Sequence, residues 1–448
     1  MIDMISRKLA IQASTNAANA VALSTTNASN LTIEVARAQA AEAALATAGF
    51  VTASSLGILP DSTTDQTAAI NAALAAGKPL LLDGSPTGAY MVSNIVVPNG
   101  ATLMGTGRGR TVLRQKAGST GPVIANATGD DANITIASLT IDGANVGSAN
   151  IGLDLNLTGS WVSHANMNRF GKGDPRNAVY DVLILNATGS GMRVQASGAN
   201  YFDRIWTMDC GGHGFELLGY DSFYSNLDAG GSGLCGFYFG PSFANNRVSN
   251  IKAWYSGQSN RSTYGQGLFL NGASMNQFGP IEVQNSGATG IYLKGCLKNL
   301  FSSAYIEGPP GYSATFTATS NPLPQAFDGL VLEDSSSNIF PALGIFDRGA
   351  TPYSLRYGVV IKKVSGGCAW NSINAHIFSA STAATVTQGG NSYGNNVIWV
   401  NGSGCITQRF DSSWFPRYAN DSAAATGGLS IGNVYINSST GVLTMRIA

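Results

Sequence analysis

Charged side chains are scarce in this chain, 11% of 448 residues, and they divide evenly into 25 basic and 25 acidic groups. So small and balanced a set excludes the broad positive surface that nucleic acid binding draws on. No apolar run is long enough to span a bilayer, and Arg7 and Lys8 are not followed by the apolar block of a secretory leader. Neither nucleic acid nor membrane insertion is therefore expected. The five cysteines (Cys210, Cys235, Cys296, Cys368 and Cys405) include no CxxC pair, so buried free thiols are expected, not a metal site or a disulfide framework. There is no Gly-x-Ser-x-Gly elbow for a serine hydrolase. Gly105-Thr-Gly107-Arg-Gly109 lacks the lysine of a phosphate loop and reads better as a corner of the chain. Asp130-Asp131 is an acidic loop pair, but no EF-hand spacing follows it. Neither metal nor cofactor is expected.

Glycine and proline are also missing from the first 48 residues, which are rich in Ala, Asn and Thr. Leu31 to Ala48 is a good helix former, with Leu31, Val35 and Leu45 as its larger apolar side chains. Such a weakly apolar helix is marginal alone in water. Wound with copies of itself it gains a seam, and polar residues such as Gln12, Asn16 and Asn19 would set its register. Residues 1–54 therefore read as a coiled-coil-like helical stalk, with a disordered tail as the alternative.

After that segment a short phrase dominates: glycine, apolar, any residue, apolar. It reads Gly191-Met-Arg-Val, Gly214-Phe-Glu-Leu, Gly236-Phe-Tyr-Phe, Gly267-Leu-Phe-Leu, Gly290-Ile-Tyr-Leu, Gly329-Leu-Val-Leu and Gly358-Val-Val-Ile. Asn200, Asn276, Asn299 and Asn338 lie nine residues after their glycines, and Phe202, Phe278, Phe301 and Phe340 follow two positions later. The shortest intervals between glycines are 22 and 23 residues. Alternation within the phrase has period two, so it marks strands. A short strand with one apolar face cannot bury it alone, but stacked copies can. These features predict an all-β solenoid: a right-handed, single-stranded parallel β-helix with three strands of about five residues per turn. The asparagines fall at one corner, where they tolerate left-handed angles and can bond to one another up the coil.

Just before the repeats, Asp61 to Asp65 supplies helix-capping residues and Gly77 a stop, so a short helix is expected over 65–76. "DSTTDQTAAINAAL", then "LLLDG", then "GAYMVSNIVVPNGATLMGTGRG" resembles the opening of the pectate-lyase-like superfamily in its bacteriophage tailspike branch. The Gly-Asp-Gly that usually begins this block is replaced by Leu59-Pro60-Asp61. The resemblance implies that the helix caps one open end of the coil. The amino-terminal Ala-rich helix is similar to the trimeric stalks that attach phage spikes to the tail. It implies a homotrimer, docked through residues 1–50 to a phage tail or adaptor protein, located in the virion and acting at the host surface. From about Asp411 the glycine phrase stops, and Gly428 to Ile436 and Val442 to Ile447 read as a hairpin around Asn437–Gly441. An isolated hairpin is marginal, so 411–448 reads as a β-strand trimerisation and cap region, with the β-helix occupying 55–410.

Alternation also assigns the outward side chains. With Ile205, Leu227, Ile251, Ile281 and Ile306 taken as inward, Trp206, Asp228, Lys252, Glu282 and Glu307 form an outward column. Counting from Asn299 instead moves Glu307 two positions along from Glu282. Such a column serves either as a sugar-binding or cleavage stripe or as a solvated, subunit-facing surface of ion pairs. Asp228, Glu282 and Glu307 are the candidate catalytic carboxylates. Lys252, Trp254, Tyr255, Tyr264, Tyr305 and Trp206 are the candidate saccharide contacts, because aromatic faces stack on sugar rings. A second outward column, Glu216, Tyr238, Phe269, Tyr292 and Val331, fits either sugar binding or trimer packing, the latter preferred. His213, near Asp209 and Asp203 in sequence, is expected to be structural.

A phage tailspike that binds and hydrolyses a bacterial surface polysaccharide is the function expected. A receptor-binding spike without catalysis and a polysaccharide lyase remain open as alternatives.

Overall fold

The computed structural model describes residues 49–127, 134–157, 177–198, 200–259, 264–308, 326–346, 354–378, 383–388, 395–401, 406–410, 417–418, 421–426, 434–437 and 443–445, together with positions 14, 16, 25, 28–32, 34–37 and 39. They form a right-handed parallel β-helix built from one sheet of 16 strands and one of 11, with a three-stranded sheet near the carboxyl end. Through the central coils each turn gives one strand to each long sheet. Tyr201–Met208 lies between Ala178–Leu185 and Phe223–Gly230, and Met192–Ser197 lies between Leu153–Leu157 and Phe215–Tyr220, all in parallel.

Three faces per turn are nevertheless present, because the strands of the larger sheet are bent. Their fourth residue takes a left-handed φ at Ser138, Asp181, Arg204, Asn226 and Asn250. Buried side chains then fall at the second, fifth and seventh positions: Phe202, Ile205 and Thr207, or Phe278, Ile281 and Val283. A flat strand would keep a step of two throughout. The expected three short strands are thus corrected to one short strand and one bent strand of eight residues.

The interior is layered. Phe202 stacks on Tyr224 at 4.8 Å between centroids, and Phe301 lies between Phe278 and Phe340 at 4.6 and 4.1 Å. The glycine of the repeated phrase lets successive turns approach. A Cβ on Gly214 would come within 2.7 Å of the Gly236 carbonyl. At the adjoining corner the asparagines form a buried ladder. Asn246 donates to Asn276 (3.2 Å), Asn276 to Asn299 (2.9 Å), Asn299 to Asn338 (2.9 Å), Asn338 to Asn371 (3.1 Å) and Asn371 to Asn395 (2.8 Å). Ser222 replaces asparagine on one rung, accepting from Asn200 at 3.2 Å.

The helix Thr67–Ala75 buries Ile70 and Leu74. Its Asn71 bonds the backbone on either side of Ile95, donating to Asn94 O (3.2 Å) and accepting from Val96 N (2.9 Å). Ile95–Val97 is the terminal strand of the 11-stranded sheet, so the helix satisfies part of an edge that would otherwise be open. At the far end Asn396–Asn401 is covered by the antiparallel strand Ile406–Phe410. Beyond it Val434–Asn437 and Leu443–Met445 form the expected hairpin, with Arg417–Tyr418 alongside and a helix, Asp421–Thr426, that the sequence reading lacks. Residues 28–32 and 34–37 are helical, with Leu31 and Val35 exposed. Cys210, Cys235, Cys296 and Cys368 are buried free thiols; Cys405 and Asp130-Asp131 lie outside the described residues.

Candidate functional site

A cleft of about 310 Å³ runs along the bend of the larger sheet. One row of its lining comes from the sixth strand positions, Trp206, Asp228, Lys252 and Glu282. The other comes from the bend, Asn226, Asn250 and Pro280, with Leu227, Ile251 and Ile281 between the rows. Parallel register stacks the first row rung upon rung: Trp206 pairs with Asp228, Asp228 with Lys252, Lys252 with Glu282, and Glu282 with Tyr305. Glu307 is not the next rung. Ala304, not Ile306, pairs with Ile281, and Glu307 pairs with Gln284, whose amide donates to it at 2.6 Å. The column reading of Glu307 is therefore corrected to the diagonal one, two positions along.

Each charge in the cleft has a defined neighbour. Lys252 Nζ lies 3.1 Å from Glu282 Oε1. Trp254 Nε1 donates to Asp228 Oδ1 at 2.5 Å. Its indole can lie down the ladder because Gly230 occupies the rung below; a Cβ there would meet the ring at 2.6 Å. Burial pushes the Asp228 carboxyl above its usual range, outweighing the opposing pull of the Trp254 hydrogen bond and of Lys252, and Glu282 adds to the rise. At one end the Arg108 guanidinium sits 4.3 Å from the Trp206 ring centroid, while its Nε is 3.0 Å from Asp181 Oδ1. At the other, Tyr305 is exposed beside Phe346, with centroids 4.9 Å apart. Trp254 also packs edge-on against Tyr255 at 5.4 Å.

Tyr264 does not join this group. Its ring meets His213 edge-on at 5.4 Å and lies 6.1 Å from Phe269, which belongs to the other long sheet. There the second outward column has the expected register, from Glu216 through Tyr238, Phe269 and Tyr292 to Val331. It is not a row of exposed aromatics, since Phe269 and Val331 are each only 7% exposed. His213 is buried and stacked on Tyr238, and its Nδ1 accepts from Cys235 N at 3.2 Å. It is held by packing and by this hydrogen bond. Among the described residues no group of three His, Cys, Asp or Glu side chains is placed to hold a metal ion.

The sequence reading misses Asn226, Asn250, Pro280 and Arg108. Asn226 and Asn250 each directly precede an inward residue, Leu227 and Ile251, and recur one turn apart. That recurrence is a usable signal for a bend.

No family model matches the sequence, and no curated protein matches it. Solved structures do. The enzymatically active domain of tailspike protein 2 from bacteriophage CBA120 superimposes with a TM-score of 0.54 at 18% identity, over 70% of this chain and 45% of that one. The gp42 tailspike of Acinetobacter phage vb_AbaP_AS12 gives 0.52 at 14% identity, over 81% of this chain and 64% of that one. The A-module of the mannuronan C-5 epimerase AlgE4 from Azotobacter vinelandii gives 0.51 at 16% identity, over 78% of this chain and 99% of that one. The match thus takes in less than half of the CBA120 protein. At these identities the likeness is one of architecture: the chain has the right-handed parallel β-helix fold that these tailspikes and the epimerase module share.

Proposed function

We propose that this chain is a bacteriophage tailspike that binds and hydrolyses a bacterial surface polysaccharide, a capsule, exopolysaccharide or O-antigen, with Asp228 and Glu282 as the acid and base. The observation that carries the reading is the placement of both carboxylates in one cleft, two rungs apart on a rigid ladder. Two strand spacings amount to about 9.6 Å between backbones. That backbone spacing lies at the upper limit of the separation, about 6.5–9.5 Å, that inverting glycosidases keep between their carboxyl groups to leave room for a water. Asp228, whose raised affinity for its proton suits a general acid, protonates the leaving glycosidic oxygen. Glu282 takes a proton from the water that attacks the anomeric carbon, and the C–O bond breaks with inversion. Trp254 fixes Asp228 Oδ1 and leaves Oδ2 to carry the acid proton. Glu307, diagonal to Glu282 beside Gln284, is the alternative base. Trp206 and Tyr305 are exposed aromatic residues at the two ends of the column, the first with Arg108 over its ring, and Lys252, Trp254 and Tyr255 lie between. Tyr264, whose ring packs against the other sheet, is not retained as a contact.

The rest of the reading follows from the tailspike likeness. Residues 1–54 form the trimeric stalk that docks to the tail or its adaptor through residues 1–50. Residues 55–410 form the β-helix, and 411–448 help to close a homotrimer.

The test is incubation of the protein with purified polysaccharide from susceptible bacteria, following reducing ends and the absorbance of unsaturated sugars together. Reducing ends without absorbance are expected. Absorbance as well would replace hydrolysis by a lyase, and tight binding with neither signal would leave a receptor-binding spike.

A further inference from the structure

We propose that the cleft selects electrically neutral, hydroxyl-rich polysaccharide, and that Asn250, at the end of an oriented amide ladder, positions it. This rests on the polysaccharide reading above and adds the substrate class.

The charges decide against an acidic sugar. Lys252 is the cation in the cleft lining; Arg108 approaches one end over Trp206, and Arg204, at the bend position one strand before Asn226, is paired with Asp203 at 3.3 Å. Lys252 is engaged by Glu282 at 3.1 Å, and Arg108 by Asp181 at 3.0 Å, with its face against Trp206. Each charge is thus balanced by a carboxylate, and Arg108 Nη1, which has no hydrogen-bond partner, is buried, so the cleft offers a uronate, sialate or phosphate no net positive charge. An acidic sugar would have to draw Lys252 away from Glu282, or lie unpaired beside Asp228. Both leave a carboxylate without compensation, and desolvating an unpaired charge is costly. The conclusion holds for either protonation state of Asp228, which is neutral or negative but never a cation.

The bend row supplies the recognition. Asp203 Oδ1 accepts from Asn226 Nδ2 at 2.7 Å, and Asn226 Oδ1 accepts from Asn250 Nδ2 at 2.6 Å. An ionised carboxylate accepts and cannot donate, so Asp203 sets the direction of both amides. Each oxygen is turned up the coil. The next rung carries Pro280, which has no amide to continue the ladder. Asn250 Oδ1 therefore accepts no hydrogen bond among the described residues, on an exposed side chain that lines the cleft. An amide oxygen in that position takes a sugar hydroxyl and repels a carboxylate.

The experiment is binding of the full chain, on ice, to an array of purified bacterial capsular and O-antigen polysaccharides of known composition. The glycans bound should all be neutral at pH 7, with Kd changing less than twofold between 50 and 500 mM NaCl. Asn250→Gly, which keeps the left-handed backbone, should weaken binding tenfold or more with an unchanged melting temperature. Binding of an acidic glycan, binding of none, or an unaltered Kd in Asn250→Gly would overturn the proposal. Reducing-end release at 37 °C separates the two readings. Cleavage of an acidic glycan discards the neutral cleft and keeps the depolymerase; a neutral glycan bound through Asn250 but never cleaved does the reverse.

Discussion

Asp228 receives the indole N–H of Trp254 from the strand above, Nε1 to Oδ1 at 2.5 Å, over Gly230, where a side chain would meet the ring. The bond favours the ionised carboxylate, while burial favours the protonated one and prevails. Trp254→Phe keeps the ring and removes the donor. Asp228 should then hold its proton to higher pH, and the basic limb of the pH–kcat profile should move upward. The rate should also fall about tenfold to a hundredfold as the carboxyl loses its orientation. A pH–rate profile of the variant checks both; an unmoved basic limb would show that Asp228 is not the acid.

The three candidate carboxylates separate by substitution. Removing a general acid or base costs roughly 10²–10⁴ in rate. Asp228→Asn and Glu282→Gln should each lose that much in reducing-end release, with thermal melting unchanged. Glu307→Gln should keep most of the activity, since it faces Gln284 and not the cleft. A reversed order, with Glu307→Gln inactive and Glu282→Gln active, would move the base to the diagonal position.

The winding of the chain is legible in the glycine phrase because a coil repeats its burial demands every turn. The asparagine corner and the Tyr238, Phe269 and Tyr292 register follow from the same period. What the sequence hides is the bend. Left-handed backbone at Arg204 or Ser138 carries no glycine to announce it. The step of three between Phe301 and Ala304 looks like a broken alternation, and a buried alanine is easily passed over for Ile306. That single slip displaces Glu307 by two positions. Tyr264 is misplaced for another reason. It follows Trp254 and Tyr255 in the chain, but its ring packs against His213 and Phe269 on the side of the smaller sheet.

The asparagine ladder should be the most sensitive part of the coil to polar loss. Asn299 Oδ1 accepts from Asn276 N at 3.1 Å and from Asn276 Nδ2 at 2.9 Å, while its own Nδ2 donates to Ala273 O at 3.0 Å and Asn338 Oδ1 at 2.9 Å. All of these groups are buried. Asn299→Ala strands two buried donors, Asn276 N and one Asn276 Nδ2 hydrogen, while Ala273 O keeps Leu297 N and Asn338 Oδ1 keeps the backbone N–H of residue 299; the change should cost roughly 2–5 kcal/mol. Asn299→Asp keeps the acceptors but turns a carboxylate on Ala273 O and Asn338 Oδ1, and should be no better. Denaturant unfolding of the two variants beside the parent measures this. A loss below 1 kcal/mol in both would mean that the ladder contributes little to stability.

His213 gives the coil a dependence on acid. Burial pushes the imidazole down to about 4, from an ordinary value near 6.5, because the charged form cannot be solvated between Tyr238 and Tyr264. A base with a depressed folded pKa contributes stability that is complete above its unfolded pKa. The contribution is lost as pH falls, because the unfolded chain takes up the proton first. The loss starts near pH 6.5 and ends near pH 4, and amounts to roughly 3 kcal/mol. His213→Phe keeps a ring against Tyr238 but leaves Cys235 N without its acceptor, so it should be about 1–3 kcal/mol less stable than the parent at pH 7. Between pH 7 and pH 4.5 its stability should fall less steeply than the parent's, and the two curves should converge. Urea unfolding at both pH values reads the slopes; parallel curves would mean that the buried imidazole is not what the acid acts on.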